Sequence, residues 1–346
     1  MEKTRAGAEP GRQAGQSRQA KRALPLVLGL AALIVLAAVL YIYARTSLKA
    51  LRVGVAMSRD AYAGIMARTI PALVGMGLSA ALIAVLSLAF QTLTESRVLT
   101  PSMIGFDSVF IATQTILVFI SGSSSRWFTN AILNYILSAG VMVIVSAAMY
   151  GIILRKNKNN IVFLLLFGLI LSGIVRSGVN YIEVLMDPDE FQQVRSATSV
   201  TVNNMNTAIM GITAPLMILL TVGMLARHRT YDVMSLGEAN AVNLGIAYRR
   251  EIHSNLVLIA AGMSVVTAMI GSLTFLGLIA VNISRELFKT YRHKILFTGA
   301  ALTACLILIA GQTLVELLEY AVPVTVIIDL AGCSYMFFLI LRENRV

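Results

Sequence analysis

L-V-L-I-A-A-G-M-S-V-V-T-A-M-I-G-S-L-T-F-L-G-L-I-A-V-N-I-S, residues 256–284, is the stretch on which the fold turns. It is longer than the roughly 20 apolar residues that one helix needs to cross a bilayer, and shorter than two such crossings. Its flanks resolve the ambiguity. Arg227, Arg229, Arg249 and Arg250 precede it, and Arg285, Lys289, Arg292 and Lys294 follow it. An excess of Lys and Arg marks connections on the cytoplasmic side. With both flanks on that side, the chain must go out and return, as a short or broken helix pair turning near Gly271 and Ser272. Such a turn is tolerated at membrane depth where neighbouring protein shields its backbone.

The rest of the chain agrees that lipid is the solvent. Of 346 residues, 57% are hydrophobic and 13% charged, and the mean hydropathy is +0.79. This is too apolar for a water-soluble globule. Counting runs of spanning length predicts an all-α bundle of ten spans, near 24–43, 69–91, 103–121, 129–153, 161–180, 206–226, 256–271, 273–284, 295–314 and 322–341. The net charge of +11 follows from topology rather than from nucleic-acid binding, because the basic residues cluster between apolar runs. Arg155, Lys156 and Lys158 then lie inside with both termini, and the acidic group Glu183, Asp187, Asp189 and Glu190 lies outside. Residues 44–68 break the rule, placing Arg45, Lys49, Arg52, Arg59 and Arg68 outside. The first span follows basic Arg18, Lys21 and Arg22, but it is too long for a signal-peptide core and reads as an anchor. Residues 1–22 are polar and lack apolar periodicity, which predicts a disordered basic cytoplasmic tail before a transmembrane domain at 23–346. Gly77 with Ala81, and Gly168 with Ser172, have the spacing of close helix packing. Cys305 and Cys333 sit in apolar runs and read as packing residues.

Signatures of covalent chemistry are missing. His228, His253 and His293 all fall in predicted loops, and there is no G-x-x-x-x-G-K-[ST] phosphate loop, so an ATPase site of that type is excluded from this chain. The loop at 227–254 is long, and inside it Ser235 and Glu238 have the spacing of a capping box. A helix of about two turns is expected to follow through Ala239, Ala241, Val242 and Leu244, closed by Gly245 in a left-handed C-cap. A helix so short is marginal alone. It either tucks against its own bundle or serves as a docking knob for a cytosolic partner.

The segment D-V-M-S-L-G-E-A-N-A-V-N-L-G-I at 232–246 resembles the coupling segment of the iron-siderophore and vitamin B12 permeases, the FecCD type. Gly237, Glu238, Leu244 and Gly245 match the pairs that frame the helix seated in the ATPase subunit. The likeness extends over about residues 65–341. Phe275-Leu-Gly-Leu278 with Arg285, Arg292 and His293 is similar to the family's F-x-G-L-x-x-P-H-x-x-R stretch and the basic turn after it, with Val281 and Asn282 in place of Pro-His. Gln91, Leu99-Thr-Pro101 and Ile104-Gly105 resemble another family stretch, with Ser96 and Arg97 where Asn-Pro is usual. These departures resemble the branch for catecholate or petrobactin-like siderophores.

The resemblance implies a permease subunit in a bacterial cytoplasmic membrane. It pairs with an identical or similar chain, receives ferric siderophore from an external binding protein, and is driven by two cytosolic ATPases that hold ATP-Mg. The chain itself binds no cofactor. Ser235, Leu236, Gly237, Glu238, Ala239, Leu244 and Gly245 become the ATPase-coupling residues. The family's R-L-P-R reads Thr69-Ile-Pro71-Ala72 here, preceded by Arg68, so Arg68 with Arg52 and Arg59 is expected to meet the binding protein; contact with lipid headgroups is the other reading. Asp329, near the middle of the last span, faces either the path or a buried helix interface. Asn180, Asn203 and Asn204 flank a segment where the family has a short gating helix at the external mouth; capping and interfacial roles are their alternative. An ion-coupled secondary transporter of a polar small molecule is the rival function, with Asp107 and Asp329 as its only intramembrane carboxylates.

Overall fold

The computed structural model describes residues 9–48, 59–156, 161–200, 207–319 and 322–343. Among them are fourteen α-helices and no strand. In chain order they are α1 (Glu9–Tyr43), α2 (Arg59–Leu93), α3 (Phe106–Ser121), α4 (Arg126–Thr129), α5 (Ala131–Lys156), α6 (Ile161–Leu185) and α7 (Pro188–Thr198). Then come α8 (Thr207–Ala226), α9 (His228–Met234), α10 (Glu238–Asn243), α11 (Tyr248–Ile270), α12 (Leu276–Phe288), α13 (His293–Leu317) and α14 (Val324–Glu343). A π-helical turn at Ala44–Leu48 follows α1, and a 3-10 turn at Pro101–Ile104 precedes α3. Seven of these helices are long and apolar enough to cross a membrane, and α3 and α14 contain shorter apolar segments. With α12 they correspond one to one with the ten expected spans, and the all-α bundle is as read from the sequence. The α1 helix begins at Glu9, within the stretch 1–22 expected to be a disordered tail. Residues 1–8 lie outside the described set.

The helices differ sharply in how much protein surrounds them. The apolar window of α2 is 72% buried, against 11% for α1 and for α6. A helix apolar on every side belongs in a core, and α2 occupies it, flanked by α8, α11, α12 and α13. Small residues let those neighbours approach: Ser79, Ala80, Ala84, Ser87 and Ala89 are all buried on α2. The Gly168 and Ser172 pair packs as expected. A Cβ on Gly168 would stand 2.9 Å from the Ile104 carbonyl oxygen, so the 3-10 turn before α3 presses directly on α6. At Gly77 the Cβ position is open instead, and the interface is marked by Cys305 donating its thiol to the Gly77 carbonyl at 3.1 Å.

The broken pair is present. The α11 helix ends at Ile270, Gly271 takes φ +87°, and α12 has 13 residues, about 20 Å of rise against a hydrocarbon core of roughly 30 Å. Gly271 is required twice over, by its left-handed backbone and by the Thr198 carbonyl oxygen, 3.2 Å from where a Cβ would sit. A feature not anticipated from the sequence lies beside it. The connection after α2 runs back along α12: Asn282 Nδ2 donates to the Arg97 carbonyl at 3.0 Å, and farther along Thr274 Oγ1 donates to Asp107 Oδ2 at 2.8 Å. Residues 94–105 thus re-enter the bundle before α3 starts, with α2, α6, α11 and α12 around them. Polar bonds between helices complete the packing, as where Gln114 Nε2 on α3 donates to Asn134 Oδ1 and Ser138 Oγ on α5, both at 2.7 Å.

Candidate functional site: the coupling segment, its anchor and the path residues

The expected capping box is not formed. Ser235 is the C-cap of α9, in right-handed helical conformation, and its hydroxyl donates to the Asp232 carbonyl at 2.8 Å. The N-cap of α10 is Gly237, at φ 87° and ψ 165°. The reason is local: α9 already occupies His228–Met234, so Ser235 closes one helix and cannot turn to open the next. The other end is as read from the sequence. Gly245 adopts φ 86°, its N–H donates to the Val242 carbonyl at 2.9 Å, and the Ile246 N–H donates to the Ala241 carbonyl at 3.0 Å. Those two bonds form a Schellman C-terminus.

The short helix has two unlike faces. Ala241 is fully buried, while Leu236, Val242 and Leu244 are 54, 52 and 62% exposed. Ser235, Glu238, Ala239 and Gly245 are exposed as well, and Gly237 is half-buried. Of the three exposed apolar side chains only Val242 is on the six-residue helix; Leu236 precedes its N-cap and Leu244 is its C-cap.

What holds this segment to the membrane domain was not legible in the sequence. Tyr231 and Met234 of α9 are buried in the core, and Tyr231 meets Phe297 edge-on with ring centroids 5.4 Å apart. Beside them the first residue of α13, His293, gives its backbone N–H and its Nδ1 to the same Asp232 oxygen, at 2.7 and 2.8 Å. Its Nε2 meets Thr92 Oγ1 of α2 at 2.9 Å, and the Thr92 hydroxyl lies 2.8 Å from the Leu88 carbonyl, to which it donates. Burial raises the Asp232 carboxyl, but its hydrogen bonds from His293, and the charges of His293 and His228, outweigh that and hold it below its ordinary value. Arg227 pairs with Glu251 and also donates to Ser254 at 3.1 Å, tying the start of the segment to α11.

The external arginines separate. Arg52 lies outside the described residues, and Arg59 and Arg68 are both exposed on α2. Nine residues are two and a half helical turns, so those two sit on opposite faces of the helix. Arg45 is placed by its own helix end, where Nη1 donates to the Tyr41 hydroxyl at 2.7 Å.

Asp329 is the sixth residue of α14, not its midpoint, yet it lies deep: Val324, at the start of α14, packs at the level of Gly311, six residues before α13 ends. Asp329 is half-buried, accepts the Phe275 N–H, and has a second oxygen buried without a partner. Asp107 lies within electrostatic reach of it, and Arg176 of α6 within reach of Asp107. Both carboxylates therefore bond to the 272–275 turn, Asp107 at Thr274 and Asp329 at Phe275. Asn180 is exposed on α6 close to α7, whose Val194 packs on Val118 and Met186. Asn203 and Asn204 lie outside the described residues.

Under the coupling segment is a cleft of about 1360 Å³, with Ser235, Leu236 and Gly237 at its rim and Gln91, Arg97, Asn282 and Arg285 among its lining.

Comparison with known proteins agrees with this geometry. A petrobactin import system permease protein of Bacillus subtilis, YclO, is 36% identical over 279 residues, covering 80% of this chain and 89% of that protein. Its counterpart FatC of Bacillus anthracis is 31% identical over 283 residues, covering 82% and 80%. A solved chain from an inward-facing structure of a metal-chelate type ABC transporter superposes with a TM-score of 0.74 at 17% identity, covering 92% of this chain and 99% of that one. Residues 25–342 match the FecCD transport family, and the chain belongs to that family.

Proposed function

We propose that this chain is the membrane permease subunit of an ATP-binding-cassette importer for ferric siderophores, with petrobactin-like chelates as the first candidates. The observation that carries the reading is the segment at 235–245, with its anchors buried and Leu236, Val242 and Leu244 turned to solvent on a family member that lacks an ATPase motif of its own. Two cytosolic ATPases holding ATP-Mg dock there, and their closure moves α9 and α10 as one unit with the start of α13, through Asp232 and His293. A second permease chain completes the path, and an external binding protein delivers the chelate to a surface that includes Arg59 and Arg68. Both termini are cytoplasmic. Asp329 and Asn180 line the path, with Asn203 and Asn204 in the same outer region of the sequence. The relatives' names support the siderophore reading, since both are petrobactin permeases.

The test is reconstitution with candidate ATPase and binding-protein partners and measurement of radiolabelled ferric petrobactin uptake. ATP-dependent uptake that needs both partners is the expected result. Uptake driven by an ion gradient without ATP would overturn the proposal in favour of a secondary transporter, for which the half-buried Asp107 and Asp329 would be the coupling groups.

A further inference from the structure

The cleft beneath the coupling segment carries groups that transport as described above does not use. Arg285 has its Nε–H buried without an acceptor. Arg97 lies within Coulombic reach of it, a repulsion between like charges. Among the described residues neither guanidinium forms an ion pair. Gln91 is 2% exposed, and both of its side-chain amide atoms are buried without partners. The backbone of Arg97 is held in place, since its carbonyl accepts from Asn282 Nδ2 of α12.

Unpaired buried donors and adjacent like charges are both costly, and one ligand relieves both. A carboxylate or phosphate accepts from guanidinium groups in the bidentate geometry that arginine favours, and the Gln91 amide offers it one further donor and one acceptor. We propose that Gln91, Arg97 and Arg285 form a binding site for a small oxyanion bearing carboxylate or phosphate groups. The cleft has room, since pockets for small molecules run from about 300 to 1,000 Å³. Its walls are mixed in charge: Glu286 lines it, and the Glu95 carboxylate lies at the rim, 3.8 Å from the Cβ position of Gly237. Arg97, Arg285 and Lys289 outnumber Glu95 and Glu286 in the lining, and that balance favours an anion. Ser235, Leu236 and Gly237 line the same cleft, so, resting on the docking proposed above, a partner on the coupling segment closes it to all but a small molecule.

The experiment uses the full chain in lipid nanodiscs, with citrate and inorganic phosphate as probes at constant ionic strength against a chloride baseline. The melting midpoint is followed as a function of probe concentration to give an apparent Kd. The expected result is a saturable rise with at least one probe, weakened about 10- to 100-fold in Arg97→Gln and in Arg285→Gln, and retained in Arg249→Gln, an exposed arginine away from the cleft. Arg97 is exposed, so its substitution keeps the test valid even where Arg285→Gln fails to fold. A rise with citrate alone assigns the site to polycarboxylates such as the arms of a chelator, and a rise with phosphate as well assigns it to oxyanions in general. No rise with either probe, or equal rises in wild type and Arg97→Gln, would overturn the proposal. Neither result depends on which cargo the transporter carries.

Discussion

Replacing Asp232 by Asn probes the anchor that joins the coupling segment to the membrane domain. The substitution keeps a carbonyl oxygen of nearly the same shape but removes the charge that accepts two hydrogen bonds from His293, at 2.7 and 2.8 Å. A hydrogen bond to a charged group contributes about 1.5–3 kcal/mol, and breaking a fully buried pair costs about 3–5 kcal/mol. This pair is only partly dry, with the His293 side chain 5% exposed and that of Asp232 30% exposed. One neutral bond also survives in the variant, so a loss of about 2 kcal/mol is expected. That corresponds to roughly 30-fold faster local opening, at 1.4 kcal/mol per factor of ten. Hydrogen exchange followed by mass spectrometry reads it directly, as faster exchange of amides in α9 and α10 with the middle of α2 unchanged. The acid limb supplies a second readout. The Asp232 carboxyl is depressed in the folded protein, so its contribution is complete above the ordinary carboxylate value near 4 and is lost as pH falls through the lower folded value. Wild type should therefore lose protection of α9 and α10 in acid below about pH 4, while Asp232→Asn shows no such step. Equal exchange in the two proteins at neutral pH would refute the anchor and leave the segment held by Tyr231, Met234 and the Arg227 contacts to α11.

Leu244→Asp and Leu236→Ser change only exposed side chains, so stability should move by less than about 0.5 kcal/mol, while ATP-dependent uptake in the reconstituted system is lost; full uptake would remove the docking role. Gly271→Val combines a left-handed backbone with a clash on the Thr198 carbonyl, and should cost about 1–3 kcal/mol in thermal stability of the nanodisc-embedded chain. Gly168→Val drives a side chain into the Ile104 backbone and should lower stability by a similar amount through overpacking, with Gly77→Ala as the neutral control because its Cβ position is open.

The broken helix pair was legible because charge and length constrained it together: two basic flanks demanded even parity, and too few residues demanded a short return. The Schellman end at Gly245 was legible because only local backbone geometry determines it. Ser235 and Glu238 misled for a matching reason, since a capping box is also local but α9 is not visible in H-R-T-Y-D-V-M, which is polar and has no clean apolar face. Asp232 and His293 were missed because 61 residues separate them and no spacing rule joins them. Residues 94–105 were missed because a re-entrant connection has no composition of its own; it is defined by the Asn282 side chain that arrives much later in the chain. Arg176 lay in a predicted span without notice, and only its nearness to Asp107 gives it meaning.

That late arrival has a consequence for how the protein is made. Asn282 is 185 residues beyond the Arg97 carbonyl it holds, and Thr274 is 167 residues beyond Asp107. When α2 and α3 leave the ribosome and enter the bilayer, part of the connection between them is bonded locally, as from Ser96 N–H to the Gln91 carbonyl, but the Arg97 carbonyl has yet to meet Asn282. That carbonyl must stay hydrated or be held by the insertion machinery until α12 is synthesised. The first third of the bundle is thus completed only by the last, and a chain interrupted before α12 would present unsatisfied backbone inside the membrane, a mark by which quality-control proteases can tell an unfinished permease from a finished one.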